Sequence, residues 1–488
     1  MSTRQRFTFR LRAETPVHFG GNSQGALLLD GDDEPFVSGN SIGGALRGWM
    51  NTSRELSPAV MYYLGGENDL SNGDKEFVES RVFISDGHLI LPKNPSEIVQ
   101  GNAQYVTREG TAIDRKTGSA RSNHKYKRYD LPQGTELVFM VEYDSQSEET
   151  KSPEGTAILN ATQERLSFQQ LIYACAVAID QGELRFGGQK SNGYGRFSLQ
   201  HLTCREFIFD SLAALDQFIF DRHTGEEKDC TKDALKDAEH ISVTPTVVLS
   251  LKGIFPYGVY QSYSDRVQSE DRATQVTGLL RSVDGNYYIP GSSIKGLLRH
   301  ELRQLLFRML LDQERSVAER EARVDILLQE WFGSQDKAGS VVVGNVNIHE
   351  AQTMKIKRIY NQDAKKSDLP TYNRIDRITG GVIDGALKTQ NEVRGPAEIR
   401  LELRADKDVE SKLFPLIYLL RNIGSGLLPL GGRTVIGLGE FEAKETVVHL
   451  NGEILEFRNT GSLGEARESN LEDYYDRFVA FLNIEGEA

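Results

Sequence analysis

Cysteine is scarce in this chain. Cys175, Cys204 and Cys230 are the only thiols in 488 residues, widely spaced and without a Cys-x-x-Cys pair. That excludes a disulfide framework and a thiolate zinc site, and fits a reducing cytosol. No apolar run is long enough to cross a bilayer, and the opening MSTRQRFTFRLRAE is too evenly charged for a signal peptide. A cytoplasmic protein without a membrane partner is expected. An excess of positive charge is lacking too: the formal net charge is −13, so a polyanion can be bound only where basic residues are segregated. Histidine offers no catalytic pair. His18 ends the first strand pattern and His124 lies in a basic stretch, and neither is spaced to a partner acid or base.

The length exceeds what one core fills, so two or three domains are expected. The most organised stretch is YIPGSSIKGLLRHELRQLLFRML from Tyr288. Pro290 and Gly291 break a strand, Ser292 and Ser293 suit N-caps, and Ile294, Leu297, Leu298, Leu302, Leu305, Leu306, Met309 and Leu310 recur at helical spacing as a core face. Lys295, Arg299 and Arg303 form a positive stripe beside first-turn N–H groups that can receive a phosphate. A capped, solvated helix is the plainer account of this stretch alone. The stretch has a twin, however: in FVSGNSIGGALRGWM, Gly39, Ser41 and Arg47 each stand 252 residues before Gly291, Ser293 and Arg299, with Gly43 in place of Lys295.

Further matches follow in unchanged order. MYYLGG and the strand-like ESRVFISDG come after the helix, and EWFGS and SVVVGNVNI come in the same order in the second half. Ile-Asp-Arg-x-Thr-Gly occurs at Ile113 to Gly118 and Ile375 to Gly380. Helical segments around Phe168 to Ile179 and Leu413 to Ile423 precede two Gly-Gly-x4-Gly-x-Gly loops, Gly187, Gly188, Gly193, Gly195 and Gly431, Gly432, Gly437, Gly439. A tandem duplication explains the set, and two copies do not make a solenoid. The expected organisation is a first domain over 1–205, a connector over 206–241, a second domain over 242–443 and a C-terminal extension over 444–488. That extension holds a strand, a charged stretch and a short amphipathic helix at Tyr474 to Phe481. Each copy reads strand, loop, helix, strands with a basic excursion, helix, glycine loop, strand, which is an α+β plan. A short strand is expected at Ala26 to Asp30. A ferredoxin-like, RRM-like domain is the simplest template.

The basic excursions are the strongest binding signal. Between Tyr105 and Asp130 stand seven Lys and Arg, among them Arg108, Arg115, Lys116, Lys125 and Lys127, against three acids. From Lys355 to Gly395 there are nine, including Arg374 and Arg377, against five. With Tyr105, Tyr126, Tyr129, Tyr360 and Tyr372 interleaved, they suit a nucleic-acid backbone and its bases. The glycine loops, with Lys190 and Arg433 beside Gly187, Gly188, Gly431 and Gly432, let main-chain N–H groups approach a phosphate, though a tight turn on the sheet explains either loop alone.

The combination of IPGSSIKGLLR, the FGS after its helix, the RIDRITG arm and the late glycine loop resembles the RAMP superfamily. The likeness is to the repeated backbone subunits of type III CRISPR effector complexes, and covers nearly all of residues 6 to 205 and 242 to 443. Two fused copies resemble the double-domain subunit of the type III-D form. The resemblance implies two tandem ferredoxin-like domains whose basic arms act as thumbs separating guide–target base pairs. Ser41, Arg47, Ser292, Ser293, Lys295, Arg299 and the glycine loops would hold guide phosphates. It further implies guide RNA, target RNA and other effector subunits as partners. Family members that cleave the target carry an aspartate in the loop after the first strand. Here the long stretch VYQSYSDRVQSEDRATQVTGLLR offers Asp265, Glu270 and Asp271, with Asp271 nearest the expected place as catalytic and metal-holding residue, Asp265 as the alternative and Mg2+ as the divalent cation. The first copy has no acid before its short strand. A purely structural RNA-binding backbone and a stand-alone guide-processing ribonuclease remain alternatives.

Overall fold

The computed structural model describes residues 2–20, 25–52, 56–69, 75–92, 106–113, 120–145, 150–151, 158–221, 227–236, 246–269, 272–282, 285–310, 316–334, 338–357, 367–404, 408–450, 452–459 and 469–484. The chain divides into two compact units, the first ending at Thr244 and the second made mainly of the residues from Pro245. Each has a hydrophobic core of its own.

The first unit is organised around β1 (Ser2–Ala13). Its alternation sends Phe7, Phe9 and Leu11 into the core and Arg4, Arg6 and Arg10 to the opposite face. Next come β2 (Phe36–Val37), α1 (Gly39–Met50), α2 (Ser57–Leu64), β3 (Val82–Ile84), β4 (Gly87–Ile90), the hairpin β5 (Val106–Ile113) with β6 (Ala120–Asp130), β7 (Glu136–Ser145), α3 (Ala161–Gln181) and β8 (Phe197–Phe209). β1 pairs antiparallel with β8 on one side and β7 on the other, and β7 in turn takes β3 and β4. A first strand held between the last and the third is the ferredoxin-like arrangement. The outward arginines are matched across the ladder: Arg4 with Asp144 at 2.5 Å, Arg10 with Glu136 at 2.8 Å, and Arg6 with Glu142. α3 is delimited by a capping box, Asn160 with Gln163, and by the left-handed Gly182, and lays Phe168 against Phe7 at 5.9 Å between ring centroids.

Two expectations for this unit need correcting. Ala26 to Asp30 forms no ladder, only isolated bridges from Leu27 to Gly20 and from Leu29 to Pro35, because Asp30 accepts the N–H groups of Asp32 and Glu34 and closes a turn. The segment read as a connector from Glu206 belongs in part to the fold. β8 continues to Phe209, α4 (Leu212–Phe220) follows, β9 (Glu227–Asp229) adds an edge strand to β8, and α5 (Thr231–Lys236) contributes Ala234 to the core.

In the second unit β10 (Thr246–Val259) takes the central place. The chain continues through β11 (Tyr263–Ser269), β12 (Arg272–Gly278), β13 (Tyr287–Ile289), α6 (Gly291–Met309), α7 (Val317–Phe332), β14 (Val341–Val343), β15 (Val346–Ile348), β16 (Thr371–Tyr372), β17 (Lys388–Asn391), β18 (Val393–Arg404), α8 (Phe414–Gly424), β19 (Glu445–Leu450), β20 (Glu453–Arg458) and α9 (Ser469–Ile484). β10 lies between β19 and β18, and β18 takes β14 and β15, which repeats the order of the first unit. The stretch read as an extension from residue 444 is therefore integral. β19 supplies the strand that flanks β10, and α9, longer than the helix expected, buries Phe478 and Leu482 beside Trp331 and Phe414. Arg323 of α7 donates to the Leu482 carbonyl oxygen, which ties the helix end down.

Candidate nucleic-acid interface

Both units build the start of their first long helix in the same way. The N–H of Gly39 donates to Asp86 Oδ1 at 2.7 Å, and that of Gly291 to Asn345 Oδ1 at 3.0 Å. A Cβ at Gly39 would run into the Ile84 carbonyl oxygen, and one at Gly291 into that of Val343, so glycine is required where the helix abuts the strand. Ser38 caps α1 through its hydroxyl, but α6 starts from Pro290, in extended conformation and without a side-chain cap. Ser292 and Ser293 are therefore second and third helical residues, not caps. The Ser41 and Ser293 N–H groups bond to Ser38 and Pro290, which narrows the amide seat expected for a phosphate. Ser292 is exposed.

Arg47 and Arg299 occupy equivalent places and share a structural task. Arg47 donates to the Gly65 and Leu64 carbonyl oxygens at 2.7 and 2.6 Å, closing α2, and Arg299 reaches the Gly333 carbonyl oxygen at 3.5 Å, closing α7. A guanidinium there complements the negative end of the helix dipole. Arg303 is paired with Asp325. Lys295, one turn before Arg299 and half-buried, has its ammonium pulled down to about 8, first by burial and then by the neighbouring guanidinium. Gly43 stands at this place in the first unit.

The glycine loops are pinned to the ends of the central strands. Gly188 N–H donates to the His18 carbonyl oxygen at 2.8 Å, and Gly432 N–H to that of Tyr260 at 2.7 Å. Gly195 and Gly439 have φ of +75° and +86°, and a Cβ on either would overlap a carbonyl oxygen, of Phe186 or Leu430. Gln189 and Arg433 adopt the left-handed region at matching positions, and each precedes a short turn of helix, Lys190–Asn192 or Thr434–Ile436. The pinning identifies Tyr260 as the counterpart of His18.

Each arm is clasped to its glycine loop by an arginine over a tyrosine, with the two roles exchanged. In the first unit Arg128, on the arm, lies 4.8 Å from the ring of Tyr194 in the loop, and both bond the buried Asp130. In the second, Arg433 of the loop lies 4.4 Å from the ring of Tyr372 on the arm, whose hydroxyl donates to Glu392 at 2.7 Å. Burial and that carboxylate push the phenol up to about 12. His18 joins the first cluster: its Nδ1 is 2.9 Å from the Tyr129 carbonyl oxygen and 3.7 Å from Asp130 Oδ1. It thus has an acid neighbour that sequence spacing did not reveal.

β16 and β17 carry the second arm, and between them the Ile-Asp-Arg core folds as a turn. Asp376 accepts the N–H groups of Thr379 and Ile378, both at 2.8 Å, which hold its carboxyl below the usual range. Arg374 and Arg377 are exposed, and Ile378 is 95% exposed. In the first arm Lys127, Tyr126 and Tyr129 are exposed, while Arg115, Lys116 and the side chains of Arg108 and Lys125 lie outside the described residues, as do Tyr105 and Tyr360. Lys190 stands in the turn of the first glycine loop and is partly exposed.

Where it is described, the acid-bearing stretch is paired. It is the hairpin of β11 and β12, registered from Tyr263 opposite Gly278 to Ser269 opposite Arg272, and β12 pairs in parallel with β17 of the arm. Asp265 faces Val276 in that register, though its side chain is outside the described residues, and so are Glu270 and Asp271. Among the described residues no three His, Cys, Asp or Glu side chains form a metal-binding group.

Sequence reasoning missed Asp86, Asn345, Tyr260, Tyr194 and Asp130. Asp86 and Asn345 had a readable signal, a polar residue between two short strands in each copy. No described helix is long and apolar enough to cross a membrane. No curated protein matches the chain. A family model described as RAMP superfamily matches residues 10–198 and 223–442. The chain therefore belongs to the RAMP superfamily, with two tandem copies of its ferredoxin-like domain, among CRISPR-associated RNA-binding subunits.

Proposed function

We propose that the chain is a backbone subunit of a type III CRISPR ribonucleoprotein, in the double-domain form, that holds guide RNA and target RNA together. One observation carries this reading: twice in the chain, a cation-bearing arm is fastened to a glycine loop at the end of the central strand. Exposed Lys127, Arg374 and Arg377 would meet phosphates, and Ile378 at the turn of the second arm offers the apolar tip that separating stacked bases requires. Lys295, half-buried beside Arg299, would gain a counter-charge from a bound phosphate. The protein purified from its host should carry a discrete small RNA, and RNA-free protein with weak, salt-insensitive RNA affinity would sink the proposal.

The second unit is the place for target cleavage. Asp271 or Asp265 would hold Mg2+, a cation that takes carboxylate oxygens as donors, and the ion would neutralise charge at the scissile phosphate. The parallel pairing of β12 with β17 ties the hairpin to the arm that would grip RNA. Replacing both aspartates by alanine in the assembled complex should abolish one cut. An unchanged fragment pattern would leave a structural backbone.

The His18 and Asp130 pair favours a second reading, a guide-processing ribonuclease. That reading requires the isolated protein to cut repeat RNA in the presence of chelator and to lose the activity on His18→Ala.

A further inference from the structure

The helix α4 is nearly apolar all round, LAALDQFIF, and none of its residues is buried. Its inner side rests on one ring, Phe218, which packs edge-on against Phe207 and Phe209 at 4.8 and 5.3 Å and lies beneath the Arg4 guanidinium. The outer side presents Leu212, Leu215 and Ile219, a stripe at three- and four-residue spacing, extended by Phe220 and by Ile208 of β8. Leu212 is 78% exposed and Phe220 88%. A helix this short is marginal in water by itself, and a contiguous apolar stripe on a soluble surface marks an interaction site. Along the helix segment itself the charge is of one sign, since Asp210, Asp216 and Asp221 are exposed and no Lys or Arg occurs from Asp210 to Asp221, while the Arg4 guanidinium over Phe218 is paired with Asp144.

We infer that α4 is a docking helix for a protein partner, which receives the Leu212, Leu215, Ile219 and Phe220 stripe in an apolar groove rimmed by lysine and arginine. The acid rim repels RNA and anionic lipid and complements such a groove. This rests on the reading of the chain as a subunit of a larger ribonucleoprotein and adds to it: the RNA is held by the arms and loops, and α4 holds a neighbouring subunit.

The test uses the full chain co-expressed with the other subunits of its effector complex, with composition read by native mass spectrometry. Two variants are compared with the parent, Leu212→Ser/Ile219→Ser/Phe220→Ser and Asp210→Lys/Asp216→Lys/Asp221→Lys. Exposed side chains are changed in both, so thermal unfolding of the isolated chain should stay where it is. Each variant is expected to lose one partner subunit, at least tenfold weaker in association, while the guide RNA bound per chain is unchanged. Full assembly of both variants overturns the inference. So does a dimer of the isolated parent chain that the serine variant abolishes, since the occupant is then a second copy, and so does parent binding to vesicles of phosphatidylcholine with phosphatidylserine that the serine variant loses. If the parent neither assembles nor carries RNA, the backbone reading fails as well. RNA carried with assembly indifferent to α4 removes the docking inference alone.

Discussion

Single residues separate the proposed RNA contact from support most clearly at Lys295 and Arg47. The folded-state pKa of Lys295 is lowered from 10.5 to about 8. Below about pH 8 the ammonium is charged in both states and its burial opposes folding. Between 8 and 10.5 the unfolded chain binds the extra proton, so its contribution to stability rises with pH. Lys295→Met is therefore expected to match or exceed the parent in stability at pH 7 and to lose that advantage toward pH 10.5, as denaturant titration will show. The same variant should lower the dependence of log affinity for RNA on log salt by about one. Arg47→Ala should do the reverse: the carbonyls that close α2 lose a charged donor, at about 2 kcal/mol, with the salt dependence unchanged. At Gly195 and Gly439 alanine meets both a left-handed φ and a carbonyl oxygen, and each variant should lose at least about 2 kcal/mol in its own unit.

Elements show what a sequence can and cannot disclose. The duplication is legible because glycines at strand contacts and loop ends cannot be replaced, so Gly39 with Gly291 and Gly195 with Gly439 keep their spacing. The ferredoxin-like plan follows from that and from the alternation in β1. The hairpin of β11 and β12 is not legible: its residues are polar, and it exists through the parallel pairing of β12 with β17, whose partners lie more than a hundred positions on. The carbonyl contacts of Arg47 and Arg299 are hidden for a related reason, since a helix arginine carries no sign of the distant carbonyl it closes. The clasps were hidden by the exchange of partners, Arg128 over Tyr194 in one unit and Arg433 over Tyr372 in the other, which no alignment of like with like brings out. The Tyr372→Leu variant should leave the second core intact and weaken RNA binding by loosening the arm, which hydrogen exchange at β16 and β17 together with an RNA titration will detect.

At the scale of the whole molecule, two cores in one chain predict two separable responses to damage. Phe478→Ala opens a cavity against Trp331, Phe414 and Phe481 and should cost about 3 to 5 kcal/mol in the second unit, with the unfolding of the first unchanged in calorimetry. The placement of α9 also has a bearing on how the protein is made. The second core draws on Leu249 near its beginning and on Leu482 near its end. During synthesis the first unit has all its strands by Thr244, whereas Trp331 and Phe414 stay uncovered until α9 has left the ribosome. At ordinary translation rates that interval is on the order of tens of seconds. The second half, with its acid-bearing hairpin, is thus the part of the nascent chain that most needs protection from aggregation.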